Sequence, residues 1–410
     1  MRRLMMAAAV GASAAPALAD SKPPQKIMAP KPIVVGGITI KPILDLRLRE
    51  EIVERDAPLT DASALTLRGR AGVEISSGPF AWLTEGEATV GIVNHYNDTI
   101  PFNGVEPHAI IADPRNVELN RLQVQYRSKK LTVTLGRQRI NLDDQRFVGS
   151  SGWRQNEQTF DAVRGEAKVG PLLLDETYSQ SQRTVFGRDA GARTAFSGNF
   201  WFLGAGFAKG PVAVKAFSYL LDYREPIQFA FSSQTCGARA TFVIPLSKKA
   251  KLNLAVSVAR QSNYKSNPLR YSATYLAAEA GTTVAGFGLT AGYEKLGSDK
   301  GRSVQTPMAT LHKFNGWADL FLTTPVKGLQ DGYVTIGRKF GVKALPGLNA
   351  GVTYHRFDSD VGDVRYGHEW DAVVGFKRGR MSVLTKLADY RARSFGVNTR
   401  KGWLQLEWTY

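Results

Sequence analysis

The sequence of 410 residues has a single cysteine and, after its first 19 residues, no long apolar run. Cys236 alone cannot form a disulfide within the chain, so a small disulfide-stabilised domain is excluded. No later segment approaches the roughly 20 consecutive apolar residues that a membrane-spanning helix needs. Helical periodicity of convincing length is also lacking. We therefore expect a fold rich in strands.

Recognisable catalytic and metal-binding motifs are missing as well. The sequence has no Gly-x-Ser-x-Gly nucleophile elbow and no His-Glu-x-x-His zinc motif. The five histidines fall mostly in or near predicted loops and do not have the spacing of metal ligands: His95, His108, His312, His355 and His368. We therefore expect no enzymatic activity, no metal site and no cofactor.

Acidic residues are fewer than basic ones. The 53 lysine and arginine residues outnumber the 36 aspartate and glutamate residues, and the formal net charge is +17. Such an excess predicts an anionic partner. Nucleic acid is not expected, because the sequence has no basic helix, zinc-ligand spacing or aromatic RNA-binding motif. Polyanionic carbohydrate, lipopolysaccharide phosphates and small anions remain as partners.

The N-terminus has the pattern of a secretory signal peptide. Two arginines precede an apolar stretch over residues 4–15, and small residues suit cleavage before Asp20. We therefore predict a signal peptide over residues 1–19. Residues 20–37 are predicted to form a flexible periplasmic leader, since they are rich in lysine and proline. The remaining residues, 38–410, are predicted to form one domain.

From Ile38 onward, apolar and polar residues alternate in segments of about ten or more residues. Such alternation is typical of outer-membrane β-barrels, whose side chains face lipid and lumen in turn. We predict eighteen strands, with sixteen as the alternative because two strands have ambiguous faces. The predicted spans are 40–54, 63–76, 80–94, 117–128, 131–140, 158–168, 172–183, 195–208, 212–223, 236–245, 251–262, 270–279, 283–296, 331–340, 347–357, 366–377, 381–391 and 402–410.

Short and long connections alternate along the chain, with the clearest long ones at 96–116, 141–159 and 297–330. This alternation supports an even number of strands with both termini in the periplasm. The last residues, Leu404 to Tyr410, alternate without a fault and end on an aromatic side chain, which resembles the signal read by the barrel-insertion machinery. We therefore predict an all-β, antiparallel transmembrane barrel in the bacterial outer membrane, in contact with its lipid and lipopolysaccharide.

Alternation also predicts which charged side chains face the lumen. On the first predicted strand, Leu46 and Leu48 share one face, so Arg47 and Arg49 share the other. The same rule, applied along the chain, predicts a substrate path lined by nine basic residues: Arg47, Arg49, Arg68, Arg70, Arg121, Arg127, Arg164, Lys168 and Arg239.

The first inward arginines allow two interpretations. If the first loop and the second turn close symmetrically, Arg49 lies opposite Arg68, and Arg70 lies opposite Glu85. One interpretation is a buried ladder of ion pairs that stiffens the wall, each pair contributing about 0.2–1 kcal/mol. The other is an anion path, in which Arg47 and Arg49 replace part of the hydration of a passing anion. Both can hold together.

Two segments resemble a known family. They are Leu135 to Glu166, with the run GWRQNEQTFDAVR, and Val304 to Val334, with the run FNGWAD. Together they resemble the alginate-export family of bacterial outer-membrane β-barrels, and the likeness extends over roughly residues 38–410. The resemblance implies a monomeric, passive channel with an electropositive constriction. The founding members pass a polyuronate outward.

Both family segments are mainly outer loops in the predicted topology, and the first carries a mixture of charges that suits a loop folded into the pore. Arg137 and Arg139 share the parity of outward-facing Leu135, so either a bulge at Gly136 turns them inward or they lie above the membrane. The candidate pore-loop residues are Arg137, Arg139, Arg146, Arg154, Trp317 and Asp319.

The sequence therefore predicts a channel for anionic solutes, with acidic carbohydrate or a polyuronate such as alginate as the expected class. The alternatives are a general diffusion porin, in which the basic residues only stabilise the wall, and a non-conducting surface barrel.

Overall fold

The computed structural model describes residues 32–247 and 250–410. The predicted signal peptide and most of the predicted leader lie outside the described residues. The end of that leader differs from the prediction, because Ile33–Val35 forms a short strand that pairs with residues 38–40 through a turn at Gly36 and Gly37. The first barrel strand begins at Ile38, two residues before its predicted start at residue 40.

Strands make up most of the described chain, and no helix in it is long and apolar enough to cross a membrane. Three short 3-10 helices are described, at Gly191–Arg193, Pro226–Phe231 and Leu311–Lys313. The strands are β1 (Ile33–Val35), β2 (Ile38–Arg55), β3 (Ala62–Ser77), β4 (Phe80–His95), β5 (Asn116–Arg127), β6 (Leu131–Gln138), β7 (Thr159–Val169), β8 (Leu172–Arg183), β9 (Ala195–Lys209), β10 (Val212–Tyr223), β11 (Ser233–Pro245), β12 (Lys251–Asn263), β13 (Ser272–Val284), β14 (Phe287–Leu296), β15 (Ser298–Asp299), β16 (Arg302–Ser303), β17 (Leu329–Lys339), β18 (Asn349–Asp358), β19 (Arg365–Arg378), β20 (Met381–Ala392) and β21 (Thr399–Thr409).

Eighteen of these strands close into one antiparallel barrel. Each strand from β2 to β13 pairs with the next, β14 pairs with β17, and the pairing continues to β21. The last strand then pairs with the first, with Asp45 opposite Thr409 and Arg55 opposite Thr399. The small hairpin of β15 and β16 lies outside this sheet. The prediction of an eighteen-stranded barrel is confirmed.

The two faces of the wall follow the alternation in the sequence. Leu46 on β2 is 42% exposed, whereas its neighbour Arg47 is 8% exposed. On these strands the inner face holds polar side chains, and the outer face holds leucine, valine and isoleucine. Apolar side chains on the outer face are typical of a barrel that spans a membrane. The assignment of faces from parity is correct for β2 and β3.

The register differs from the predicted one by two residues at the first two hairpins. Arg47 lies opposite Arg68, and Arg70 lies opposite Glu87. The reason is turn geometry, because β3 and β4 are joined by a two-residue turn centred between Gly78 and Pro79. A two-residue change keeps every side chain on its predicted face, since the side-chain period of a strand is two.

One turn also lies away from its predicted place. β13 continues to Val284, and the turn to β14 is formed by Ala285 and Gly286, both with positive φ. The predicted turn at 280–282 is wrong, because small residues there continue the ladder, with Ala280 opposite Ala291.

Two long outer loops fold back into the barrel and pack against each other. We call residues 139–158 inner loop 1 and residues 304–328 inner loop 2. Val148 forms an isolated bridge with Met308, and the amide of Gly149 donates to the Met308 carbonyl at 2.8 Å. Apolar side chains of both loops join aromatic side chains of the wall in one buried cluster that includes Phe160 and Phe357. The hydrophobic core therefore lies inside the barrel.

Candidate functional site

Four arginines form a ladder on the inner face of β2 and β3, and inner loop 1 covers it. We call Arg47, Arg49, Arg68 and Arg70 the arginine ladder. Arg47 Nη1 donates to the carbonyl of Gly152 at 3.0 Å, and Arg49 Nη2 donates to the carbonyl of Trp153. These bonds attach inner loop 1 to the wall.

The ladder is neutralised almost completely by carboxylates. Arg47 and Arg68 share Glu407 at 2.9 and 3.1 Å, and Arg68 also pairs with Asp45. Arg49 pairs with Asp113 at 3.2 Å. The side chains of Arg49 and Arg68 have no exposed surface, so they are structural cations that remain buried only because each has a carboxylate partner.

Arg70 belongs to a second group of buried ion pairs. It pairs with Glu87 of β4 and with Glu157 of inner loop 1, the latter at 2.7 Å. Arg139 reaches Glu157 and lies 3.2 Å from Glu85. Burial alone would raise the pKa of Glu157, but Arg70 and Arg139 lower it, so this loop carboxylate is ionised.

Asp319 of inner loop 2 joins both loops to the wall. Its carboxylate accepts hydrogen bonds from Arg154 at 2.9 Å, from Lys401 at 3.0 Å and from His312 Nδ1 at 2.8 Å. Burial opposes ionisation of Asp319, but His312, Lys401 and Arg154 lower its pKa well below the usual range. The pKa of Arg154 is raised despite burial, because Glu51 and Asp319 are close.

An aromatic cluster surrounds the Lys386 side chain of β20. The Lys386 ammonium lies 4.0 Å from the ring centre of Trp153 and 3.6 Å from that of Trp317. It also lies 2.9 Å from His312 Nε2. Burial and the positive charges of Lys386 and Arg154 lower the pKa of His312 well below its usual value. In a neutral His312, Nε2 can therefore accept a hydrogen bond from the Lys386 ammonium while Nδ1 donates one to Asp319.

Arg146 is another buried anchor of inner loop 1. Its guanidinium donates to Glu294 of β14 at 2.7 Å and to Asn315 of inner loop 2 at 3.0 Å. Asn315 donates in turn to Glu294 at 2.7 Å and to Asp331 of β17 at 3.2 Å. Arg146 and Asn315 thus hold the two loops to the wall opposite the arginine ladder.

A cavity of about 530 Å³ remains between the inner loops and the wall formed by β11 to β21 and β2. Its charged lining residues include five cations, Arg47, Arg139, Arg239, Lys313 and Lys386. Seven carboxylates also line it: Asp144, Glu157, Glu279, Glu294, Asp331, Asp371 and Glu407.

One part of the cavity wall carries carboxylates without cations. The lining from β13, β14, β17, β18 and β19 includes Glu279, Glu294, Asp331 and Asp371, and among the described residues it includes no lysine or arginine. The cations come from β2, β11, β20 and the two inner loops. Hydroxyl groups complete the acidic side, where Tyr333 donates to Glu279 at 2.6 Å.

The structure separates the predicted lumen residues into three groups. Arg47 and Arg239 border the cavity, and Arg239 pairs with Asp144 at 2.7 Å. The other ladder arginines lie beneath inner loop 1. The remaining four residues face inward elsewhere along the wall. Three of them are paired: Arg121 with Glu85 at 2.6 Å, Arg127 with Glu74 at 3.1 Å and Arg164 with Asp175 at 2.8 Å. Lys168 is exposed near the end of β7.

The predicted pore-loop residues also divide. Arg139 and Trp317 border the cavity, whereas Arg146, Arg154 and Asp319 are buried in contacts between the loops and the wall. Arg137 remains on the outward face, opposite Leu122, where it pairs with Asp161 at 2.8 Å. Gly136 has a φ of +114°, and the chain leaves the sheet two residues later, so Arg139 but not Arg137 turns inward.

Several charged residues of the cavity were not among the predicted site residues. Glu279, Glu294, Asp331 and Lys386 each face inward. Alternation could have found two of them. Glu294 follows outward-facing Tyr293, and Lys386 precedes outward-facing Leu387, so both must face inward. No group of three metal-ligating side chains occurs in the described part of the chain.

Comparisons with known proteins agree with this architecture. Residues 45–208 match the family described as Alginate export. No curated protein sequence matches the chain. Among solved structures, OccK9 (OpdG) of Pseudomonas aeruginosa has a TM-score of 0.72 at 14% identity, over 90% of this chain and 98% of that chain.

Two further Pseudomonas aeruginosa structures are similar over 90% of this chain, both at 14% identity. OpdO has a TM-score of 0.70 and is covered over 97% of its length. OpdK, solved with vanillate, has a TM-score of 0.68 and is covered over 98%. At such identities the likeness establishes a shared fold. The chain thus shares the β-barrel fold of these three proteins, and its residues 45–208 match the alginate export family.

Proposed function

We propose that this protein is an outer-membrane channel for the passive passage of small anionic solutes, with acidic sugars such as uronates as the favoured class. The cavity between the inner loops and the wall carries the proposal. Arg47 of β2, Arg139 of inner loop 1 and Arg239 of β11 present guanidinium groups to it. A guanidinium binds a carboxylate through short, charge-assisted hydrogen bonds, so these residues suit the acidic group of the solute.

The part of the wall formed by β13, β14, β17, β18 and β19 suits the hydroxyl groups of a sugar. Tyr275, Tyr333 and Thr353 offer hydroxyls, and Glu279 offers carboxylate oxygens. A uronate carries one carboxylate and several hydroxyls and can therefore contact the guanidiniums and this part of the wall at once. The similar OpdK structure holds vanillate, which is also a carboxylate.

A long polyuronate such as alginate is a less direct fit. Inner loops 1 and 2 fill much of the lumen, and their buried ion pairs hold them there. We propose that monomers and short oligomers pass the resting channel, and that a polymer passes only if the loops move aside.

Planar-bilayer recording tests the proposal with variants matched for chemistry. Arg239→Gln removes a cation from the cavity, whereas Arg164→Gln removes an inward cation that does not border it. We expect anion-selective reversal potentials and galacturonate block in the native channel, weakened by the first variant and not by the second. A cation-selective native channel without galacturonate block would contradict the proposal.

A general diffusion porin is the second candidate. It is favoured by the mixed lining, in which the carboxylates outnumber the cations. It predicts weak ion selectivity and equal passage of neutral and acidic sugars. Liposome swelling with glucose and glucuronate distinguishes the two functions.

A further inference from the structure

A basic patch lies on the outward face of β18 to β21, near the ends that carry the long loops. We call it the rim patch, and its members are Arg356, Arg365, His368, Arg391, Arg393 and Arg400. Arg356 is directly opposite His368 on the neighbouring strand, and His368 is directly opposite Arg391 on the next. Side chains in such positions lie about 5 Å apart at their Cβ atoms.

The outward direction of the rim patch follows from its neighbours. Tyr390 and Glu369, which alternate with patch residues, are fully buried inside the barrel. Trp370 and Leu387, which share the parity of His368 and Arg391, are 51% and 57% exposed on the outside. The patch therefore faces the membrane side of the wall and not the lumen.

The rim patch has more arginines than carboxylates to pair with them. Asp389 is shared by Arg391 at 3.0 Å and Arg400 at 3.1 Å, and Asp358 pairs with Arg356 at 2.9 Å. These two aspartates face five arginines. Along the rim, the strand next to Arg400 presents Glu54, so the basic patch ends there.

Two cations of the rim patch have no partner among the described residues. The guanidinium groups of Arg365 and Arg393 make no hydrogen bond or ion pair with any side chain or carbonyl among residues 32–247 and 250–410, and both residues are exposed. The amide of Arg393 donates to the carbonyl of Tyr366 at 2.8 Å, so Arg393 lies beside the start of β19, where Arg365 is found. Arg365 is also opposite Asp358, which already pairs with Arg356. Two free guanidiniums therefore lie at neighbouring strand ends of the rim patch.

An apolar and aromatic surface lies directly below the rim patch. Tyr354 packs on Trp370 with ring centres 4.9 Å apart, one step further along the strands than Arg356 and His368. Leu387 and Leu404 continue this exposed surface across β20 and β21. Aromatic side chains at this level of a barrel mark the interface between headgroups and acyl chains.

From this arrangement we infer that the rim patch binds the phosphorylated glucosamine headgroup of lipopolysaccharide in the outer leaflet. Arg365 and Arg393 hold a phosphate through charge-assisted hydrogen bonds, which planar guanidiniums make in pairs. The acyl chains then lie along Tyr354, Trp370 and Leu387. A free phosphate would gain the first contact but not the second, so a lipid fits the whole surface.

Native mass spectrometry of the purified full-length barrel in detergent tests the inference. The probes are lipopolysaccharide, the same lipid with its phosphates removed, and inorganic phosphate at the same molar concentration. We expect retained lipopolysaccharide on the native protein, with at least about tenfold weaker binding for the dephosphorylated lipid, since charge-assisted bonds are lost. Equal binding of both lipids, or displacement of the lipid by an equal concentration of inorganic phosphate, would overturn it.

A double variant locates the site. Arg365→Gln with Arg393→Gln removes two exposed side chains without protein partners, so the barrel should fold and keep its conductance. The matched control, Arg260→Gln with Arg224→Gln, removes two exposed arginines elsewhere on the barrel. We expect lipopolysaccharide binding to weaken by roughly tenfold in the first pair only. Equal binding in both pairs would contradict the assignment, and the probe series above is decisive even if a variant fails to fold.

Discussion

The imidazole of His312 stacks on the indole of Trp153, with ring centres 4.5 Å apart and planes only 7° from parallel. His312 belongs to inner loop 2 and Trp153 to inner loop 1. The two loops that fill the lumen are therefore joined by a contact that also covers the Lys386 ammonium of the wall.

Trp153→Ala should loosen both loops and enlarge the open channel. The change removes the stack on His312, the contact with Lys386 and the cover over Arg49, whose guanidinium lies 4.2 Å from the ring. Truncation of a packed tryptophan costs about 3–5 kcal/mol. We expect higher single-channel conductance and faster proteolysis of inner loop 1. Trp201→Ala, at an outward-facing tryptophan, is the control and should leave both unchanged.

Acidification should destabilise the loop network through His312. The pKa of His312 in the folded protein lies well below the usual value. As the pH falls, the unfolded chain therefore binds a proton at a higher pH than the folded protein does. The stabilisation is therefore complete above about pH 6.5 and falls as the pH drops below that value. Thermal unfolding between pH 7.5 and 5 measures the loss. His312→Gln should flatten this part of the profile, and an unchanged slope in the variant would assign the effect to another group.

Asp319→Asn should cost about 3–5 kcal/mol of stability, because the buried cations Arg154 and Lys401 lose their shared carboxylate. The pKa of Asp319 is lowered in the fold, so its contribution is present at neutral pH and is lost only below about pH 3.9. Denaturant or thermal unfolding at pH 7 measures the change. Glu74→Gln, which breaks the exposed pair with Arg127, should cost at most about 1 kcal/mol.

Gly136→Ala should destabilise the barrel where inner loop 1 begins. Gly136 has a φ of +114°, and a Cβ there would lie 2.3 Å from the carbonyl oxygen of Leu122. Backbone strain of this kind costs on the order of 1–3 kcal/mol. Gly165→Ala on the neighbouring strand is the control, since a Cβ there meets nothing within 4 Å. Equal unfolding temperatures for the two variants would contradict the steric argument.

Alternation of side chains was sufficient to predict the barrel from the sequence. A strand has a period of two, so Leu46 and Arg47 had to face opposite sides, and the same rule placed the arginine ladder inside. The strand count followed from the same pattern together with the alternation of short and long connections. The C-terminal strand was correctly placed, and its pairing with β2 closes the sheet.

Tertiary structure decided what borders the lumen. Parity fixes a face but not what lies in front of it, so the sequence could not indicate that inner loop 1 covers Arg49, Arg68 and Arg70. Their partners Asp113 and Glu157 lie outside the strands, at positions that only loop folding brings close. Hairpin register also depends on turn geometry, which moved Arg70 from Glu85 to Glu87. Local periodicity thus determined the wall, and long-range ion pairing determined the channel inside it.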